Sequence, residues 1–573
     1  MAGAWLAVAG SSGMAWAAPA PAPAAGAAAG QDEVVAVVLG ADGVADSGAV
    51  KVATVSVRLP AATVQAGAPL LRMPLVTSNV KTSAQDVRDL QARDAQGPVA
   101  LTFRDDAPGA APYRRWVASR AVQGPLQLRY RVPISNASNP LGAAPPLELR
   151  SEGGAFSGAS GSFLVLPDHD RPYRLKLEWD LAALGEGALG VSTLGVGDRL
   201  APAAAPSKGW ESVFVMGGQV GREPGRPAAD GFFSVWQGKP AFDAAGLMRW
   251  THQLYDYYLG FFKTPSATYN VFLRSNPINP GGGVEIGNSF VGTFDQHTDV
   301  DAFKVTLAHE MVHTFVQPLD GDGLEGSWFN EGIAVYYARL LALRAGKISR
   351  ADFLVDLNDT AARYYTNIKN TTPNAEIPAR FWPDTRVRVL PYDRGALYFA
   401  QLNDEIVLAS HGKRSLDDLL LAFLEARRGG QPSTQEAWVG AVVKEIGDKG
   451  RSQFEAMMRG EPIVLRSQAF GACLRSVEAP LRRYELGFTP DVLIAPKRIV
   501  RGLVPGSAAE QAGIRDGDEI LKPVPQDAIQ GDQKALLRLQ VGRAGKVMDI
   551  SYLPRGETVK VPQWVETSPS CVQ

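Results

Sequence analysis

Hydrophobic and polar residues alternate along Val50-Lys51-Val52-Ala53-Thr54-Val55-Ser56-Val57-Arg58-Leu59, and again along Leu126-Gln127-Leu128-Arg129-Tyr130-Arg131-Val132. A period of two sends successive side chains to opposite faces of a pleated strand, so both segments predict half-buried strands. Gly97-Pro98 and Gly124-Pro125 punctuate the interval. Residues 33–208 therefore predict an all-β sandwich domain with little catalytic equipment. Near Phe242 the period lengthens: Leu247, Trp250, Leu254, Tyr257 and Tyr258 recur at helical spacing over 241–262, with no internal proline. Residues 267–273 then predict a strand, Gly281-Gly282-Gly283 a turn, and 284–291 a second strand. Further on, helices are predicted over 397–408 and 416–426, followed by a break at Gly429-Gly430-Gln431-Pro432. No internal repeat is present.

The 573 residues suffice for three or four domains at ~150 residues each, which with this patterning predicts a multidomain α+β chain. Fifty-eight Lys and Arg against 59 Asp and Glu leave a formal charge of −1. That balance removes the electrostatic reason to expect nucleic acid or an anionic membrane as partner. No charged residue precedes Asp32, and apolar residues at 4–8 and 14–16 lead into Ala15-Trp16-Ala17 and a Pro/Ala spacer. Residues 1–32 are thus expected to be an export signal with its spacer, although no basic segment precedes the apolar one. The alternative is an Ala-rich tail. No later segment is apolar enough to cross a membrane as a helix, so the mature chain is expected to be periplasmic or secreted with no transmembrane segment. The two cysteines, Cys473 and Cys571, form no CxxC pair. An oxidising compartment permits a bond between them, and two free thiols are the alternative.

The chemistry begins at His309-Glu310-Met311-Val312-His313. On a helix, residues four apart lie one above the other at ~6 Å. Two imidazoles so placed can bind one metal, with the intervening glutamate beside it as general base: the zinc metallopeptidase arrangement. Asp299 or Asp301 can cap this helix, Phe303, Val305, Leu307, Ala308, Met311, Val312 and Phe315 supply its apolar positions, and Pro318 ends it. A third ligand is available in Trp328-Phe329-Asn330-Glu331-Gly332-Ile333-Ala334-Val335-Tyr336-Tyr337-Ala338, where Glu331 follows His313 with 17 residues between them. Two imidazoles and one carboxylate leave a fourth position for water. An acidic residue in a first helical turn, favoured by the helix dipole, is the competing reading of Glu331. His297 has no helical or strand spacing to the cluster and is read as a solvated loop residue.

HExxH followed by Asn330-Glu331-Gly332 and Tyr336-Tyr337 resembles the gluzincin aminopeptidases, and the layout of the whole chain resembles the glycyl aminopeptidase family of bacterial peptidases. This resemblance implies a thermolysin-like catalytic domain over 209–465 and a PDZ domain over 470–573. It implies one zinc ion per chain on His309, His313 and Glu331, with Glu310 as general base and proton shuttle. Tyr392, in Leu390-Pro391-Tyr392-Asp393-Arg394-Gly395, matches the tyrosine that stabilises the oxyanion, and Glu285, in Gly282-Gly283-Val284-Glu285, matches the glutamate that binds the substrate's free α-amine. Gly283 accompanies it as a substrate-binding residue. Ile286 stands where the family usually has histidine, Arg394 where lysine is common, and the His313–Glu331 gap is one residue shorter than in the related large aminopeptidases. Taken on physics alone, Glu285 also reads as an exposed edge-strand glutamate and Tyr392 as a packing aromatic.

Glu485-Leu486-Gly487-Phe488 resembles the carboxylate-binding loop of a PDZ domain, and the segment from Val504 through Gly513 to Leu521 resembles its core. Leu486, Gly487 and Phe488 are accordingly expected to take a peptide C-terminus, the alternative being a domain that only packs on the catalytic unit. The expected function is zinc-dependent removal of N-terminal residues, Gly or Ala among them, from peptide substrates. An exported zinc endopeptidase and a PDZ-bearing peptide-binding protein with an inactive peptidase domain are the alternatives.

Overall fold

The computed structural model describes residues 33–109, 111–137, 145–264, 268–276, 280–321, 323–495, 497–522, 524 and 526–568. The expected export signal at 1–32 and Cys571 lie outside the described residues; Cys473 is disulfide-bonded.

The chain is a multidomain α/β structure with several sheets. The first unit is β-rich, as the alternation predicts. Val34–Ala41 pairs antiparallel with Val52–Val64, setting Val37 opposite Val57, and Val52–Val64 pairs with Val122–Pro133, setting Leu59 opposite Leu126. The residues in register are the buried ones on each strand, so one face of this seven-stranded sheet carries the core. A five-stranded sheet joins Ala155–Ala159 and Leu189–Ser192 to Phe214–Gly218, a strand that follows the expected junction at 208–209.

The second unit is built on a mixed five-stranded sheet in the order Gly221–Glu223, Phe232–Trp236, Tyr269–Ser275, Ser289–Phe294, Gly283–Glu285. The single strand expected over 284–291 is in fact a hairpin. Gly287 adopts φ 60° and the Ile286 N–H donates to Ser289 O at 2.7 Å. Gly287-Asn288 favours that turn, and the chain reverses to make Gly283–Glu285 an antiparallel edge strand. Helix α1 (Ala244–Phe262) starts later than its hydrophobic pattern because Asp243 caps it, accepting from the Gly246 N–H at 2.8 Å. Helix α2 (Val300–Phe315) is capped by Asp299, which accepts from the N–H groups of Asp301 and Ala302. Helices α3 (Ser327–Arg344), α4 (Arg350–Thr366), α5 (Thr385–Arg388) and α6 (Leu390–Ala409) follow, and α6 starts seven residues before its expected first residue, 397. Proline is tolerated in a first helical turn, so Pro391 opens this helix and does not break it.

The last unit pairs Leu474–Tyr484 with Arg555–Glu566 and adds a three-stranded sheet. It is docked on α4. Trp564, 1% exposed, shares a core with Phe353, Leu357, Ala361 and Leu474, and Asn358 holds the Trp564 backbone from both sides at 2.8 and 2.7 Å. Among the described residues no helix is long and apolar enough to cross a membrane.

Candidate metal centre

His309, Glu310 and His313 lie on the buried face of α2, and Glu331 is the fifth residue of α3, just past its first turn. The four residues are each under a tenth exposed. His309 Nε2 and His313 Nε2 are 3.2 Å apart, and Glu331 Oε2 is 3.3 Å from the first and 3.4 Å from the second. Tetrahedral ligands at zinc–nitrogen and zinc–oxygen lengths would be separated by ~3.3 Å. The triangle therefore has the edge length of three ligands around one zinc ion, and the set is able to hold one metal ion. The other carboxylate oxygen of Glu331 accepts from Asn330 Nδ2 at 3.2 Å, fixing which oxygen faces the histidines.

The electrostatics follow from this closeness. Burial alone would pull His313 down, but Glu331, with Glu310 and Glu285, outweighs it and pushes the imidazole up to about 9. Burial alone would raise Glu331, yet His313 and the hydrogen bonds from both histidines bring it to about 2. In the metal-free protein at pH 7.5 His313 thus carries a proton that a metal ion must displace. Zinc titrated into apo-protein in weak buffer at that pH is expected to release about one proton per ion, read with a pH dye. At pH 9 the release is expected to fall to about half, and a release unchanged between the two pH values would remove His313 as its source.

Glu310 is held up by burial and by Glu331, with the two histidines opposing. Both of its carboxylate oxygens are buried without a hydrogen-bond partner. Unpaired buried carboxylate oxygens are costly. A pair of them beside a metal-ligand triangle makes Glu310 a candidate general base.

Glu285 ends the edge strand that runs along α2. Its carboxyl is pushed up to about 8, first by burial and then by Glu310 and Glu331, against His313. Its Oε1 is buried with no partner. The flanking residues point the other way, as strand alternation requires: Val284 and Ile286 share a core with Val80, Leu147, Phe214 and Met216 of the first unit. The position where the resembled family usually carries histidine therefore packs against the first unit and leaves Glu285 facing the metal ligands. Gly283 is buried against the Phe290 ring, where a Cβ would sit 2.2 Å from ring carbons. Its lack of a side chain serves sheet packing. The turn before it is tied to the metal helix, since Thr306 of α2 donates to Gly281 O at 3.0 Å.

Tyr392 lies in the first turn of α6, with its ring centroid 6.0 Å from that of His309. Burial, followed by Glu331 and Glu310, holds its phenol well above the usual value, so it is a neutral donor across ordinary pH. The next residues are clamped. Asp393 receives a two-pronged contact from Arg363 of α4, and Arg394 reaches Asn370 O and Thr372 O, both at 2.8 Å, as well as Asn374. One planar guanidinium thus spans three acceptors at the position where lysine was the commoner expectation. The same turn meets α3 at Gly395 and Gly332, whose backbones touch.

His297 is exposed in a loop, its N–H donating to Asp295 Oδ1 at 2.8 Å. Leu486 and Phe488 are buried in the core of the last unit, separate from the catalytic core, and Gly487 between them has φ 86°. Tyr269 was not singled out from the sequence. Its hydroxyl is fully buried with no partner, and burial together with Glu310 and Glu285 raises it. An aromatic in a strand carries no signal that distinguishes it from core.

No protein-family model matches the sequence, and no curated protein does. Among solved structures, an aminopeptidase N family protein from Idiomarina loihiensis is 14% identical with a TM-score of 0.65, over 93% of this chain and 98% of that one. An M1 zinc metallopeptidase from Deinococcus radiodurans is 16% identical with a TM-score of 0.42, over 76% of this chain and 95% of that one. Almost end to end, the chain has the fold of the Idiomarina aminopeptidase N family protein.

Proposed function

We propose that this protein is a zinc aminopeptidase that removes N-terminal residues from peptides. The observation that carries the reading is the conjunction of the His309–His313–Glu331 triangle with the buried, unpartnered carboxylate of Glu310 and the buried, unpartnered Oε1 of the half-buried Glu285. A zinc ion on the triangle would supply the Lewis acidity that activates water and polarises a scissile carbonyl. Glu310 takes the water's proton and returns it to the leaving amine. Tyr392, held neutral, donates its phenol proton in a hydrogen bond to the developing oxyanion. Glu285 pairs with the substrate's α-ammonium. An arriving cation offsets the desolvation that keeps its carboxyl protonated, so a free N-terminus is favoured over a blocked one.

The finer features belong to the same proposal. The helices of the second unit form a thermolysin-like catalytic domain, with N-terminal Gly or Ala as the preferred substrate residues, as in the glycyl aminopeptidases. The last unit is a PDZ domain, with the Leu486-Gly487-Phe488 loop as the receptor of a peptide C-terminus, supported by the positive φ of Gly487 between two buried anchors. Residues 1–32 direct export to the periplasm or beyond.

Hydrolysis of free and N-acetylated glycyl and alanyl chromogenic amides tests the reading. Cleavage of the free-amine substrates alone supports it, equal cleavage of both moves it to an endopeptidase, and stoichiometric zinc with no cleavage of either overturns it. Glu285→Gln is expected to lower kcat/KM for the free-amine substrates by about 100-fold, chiefly through KM, since it removes one partner of a buried charge pair. Unchanged kcat/KM in that variant would remove Glu285 from amine recognition.

A further inference from the structure

Between the last unit and the second lies a buried ion pair that the proposed chemistry does not use. Arg388, at the end of α5, donates from Nη2 to Asp527 Oδ1 at 2.8 Å and from Nε to Asp527 Oδ2 at 3.2 Å. Both residues are under a tenth exposed. Thr385 donates its hydroxyl to the same carboxylate and accepts from Arg388 Nη2 and from Gln530 Nε2. Asp527 and Gln530 belong to the short helix Asp527–Gly531 of the last unit, and Thr385 and Arg388 to the second. Four residues after Arg388 stands Tyr392, joined to it through Val389 and the start of α6. The charges on Asp527 and Arg388 both act on the Tyr392 phenol, in opposite senses.

The turn that carries Tyr392 is thereby held from three sides: by Arg363 at Asp393, by the 370–374 segment at Arg394, and by Asp527 at Arg388. The first two anchors lie within the second unit. The third does not.

We infer that Asp527 is a positioning residue for Tyr392, so that the last unit completes the catalytic site by fixing the segment that enters α6. The inference rests on the proposed role of Tyr392, and it gives the last unit a task in catalysis whether or not it binds a peptide. A bidentate buried pair is geometrically specific, and its loss frees both the guanidinium and the short helix on which it sits. The effect on a group one helical turn away is on orientation, which enters kcat through the stabilised oxyanion more than through substrate binding.

The test compares Asp527→Asn, Tyr392→Phe and the double variant in the full chain, with zinc content measured for each. Asp527→Asn is expected to lower kcat about tenfold with little change in KM, and to have no further effect in the Tyr392→Phe background. Asp527→Glu, which keeps the charge, is expected to recover part of the loss. An equal fractional loss in both backgrounds, or lower stability with kcat per folded molecule unchanged, would overturn the inference. A readout independent of hydrolysis separates it from the proposed function. 3-Fluorotyrosine placed at Tyr392 is expected to change its fluorine shift in Asp527→Asn and not in Asp549→Asn, an exposed position. An unmoved resonance overturns the positioning role even in an active enzyme, and a moved one supports it even if the substrates chosen are not cleaved.

Discussion

Glu310→Gln is expected to reduce peptide hydrolysis by three to four orders of magnitude while zinc stays bound at one ion per chain, the upper range for loss of a general base. The carboxamide is nearly the same size as the carboxylate, so the packing of α2 against the Gly283–Glu285 strand is preserved. The three ligand atoms, with edges of 3.2, 3.3 and 3.4 Å, do not involve Glu310. What disappears is the group proposed to accept a proton from water and hand it on. No side chain hydrogen-bonds to Glu310, and the Glu285 backbone N–H that bears on it can donate equally to a carboxamide oxygen, so the variant should fold as the parent does. Steady-state kcat on free-amine amides together with metal analysis checks this. Retained turnover with zinc in place would reassign the base, and joint loss of zinc and turnover would make Glu310 a structural support of the ligand set.

The second large effect lies where α3 and α6 cross. A Cβ on Gly332 would stand 2.4 Å from the Gly395 Cα, and a Cβ on Gly395 would stand 2.2 Å from Trp328 O and 2.7 Å from the Gly332 Cα. These neighbours are backbone, on two buried helices that cannot yield by turning a rotamer. Either alanine substitution is expected to destabilise the second unit by about 3 kcal/mol, at the upper end for overpacking. Each glycine follows a site residue closely: Gly332 is next to the ligand Glu331, and Gly395 lies three past Tyr392. The helices can separate only by moving one of them, so zinc affinity and turnover should fall together. Gly440, inside the Gln435–Ile446 helix with nothing within 4 Å of its would-be Cβ, is the control. Its alanine variant is expected to be more stable by ~0.5–1 kcal/mol. Thermal unfolding and zinc titration of the three variants decide the matter, and equal behaviour at all three positions would refute the close-crossing explanation.

Much of this site is legible in the sequence for a simple reason: its ligands lie on helices, where spacing and geometry are nearly the same thing. His309 and His313 are four residues apart, and the i,i+4 rule needs no tertiary information to bring them together. The Asp299 cap is equally local. Glu331 is harder, because joining it to the histidines requires two helices to pack: the sequence offers it as the third donor a metal site needs, but an acidic residue near a helix start reads just as well until the helices are seen together. The misreadings are also local in origin. The Val284–Val291 segment has the composition of one strand, and the reversal at Gly287 is a two-residue event inside it. The helix that holds Tyr392 is legible only from 397, because Pro391 in its first turn carries no helical pattern of its own, and that hides that Tyr392 sits on a rigid element. Arg388, Asp393 and Asp527 carry no sequence signal at all, since ion pairs separated by 30 or 139 residues become visible only when the chain is folded.

The edge strand that carries Glu285 serves two neighbours at once. Its odd-numbered acid faces the metal ligands, and Val284 and Ile286 on either side are seated among Leu147, Phe214 and Met216 of the first unit. Variation at 284 and 286 is therefore answerable to the β-rich unit, and variation at 285 to the metal-ligand cluster, although the three positions are consecutive. A substitution at 285 can change what faces the metal ligands without disturbing the junction, but the β-rich unit cannot be exchanged for a foreign one without re-seating the strand that carries Glu285.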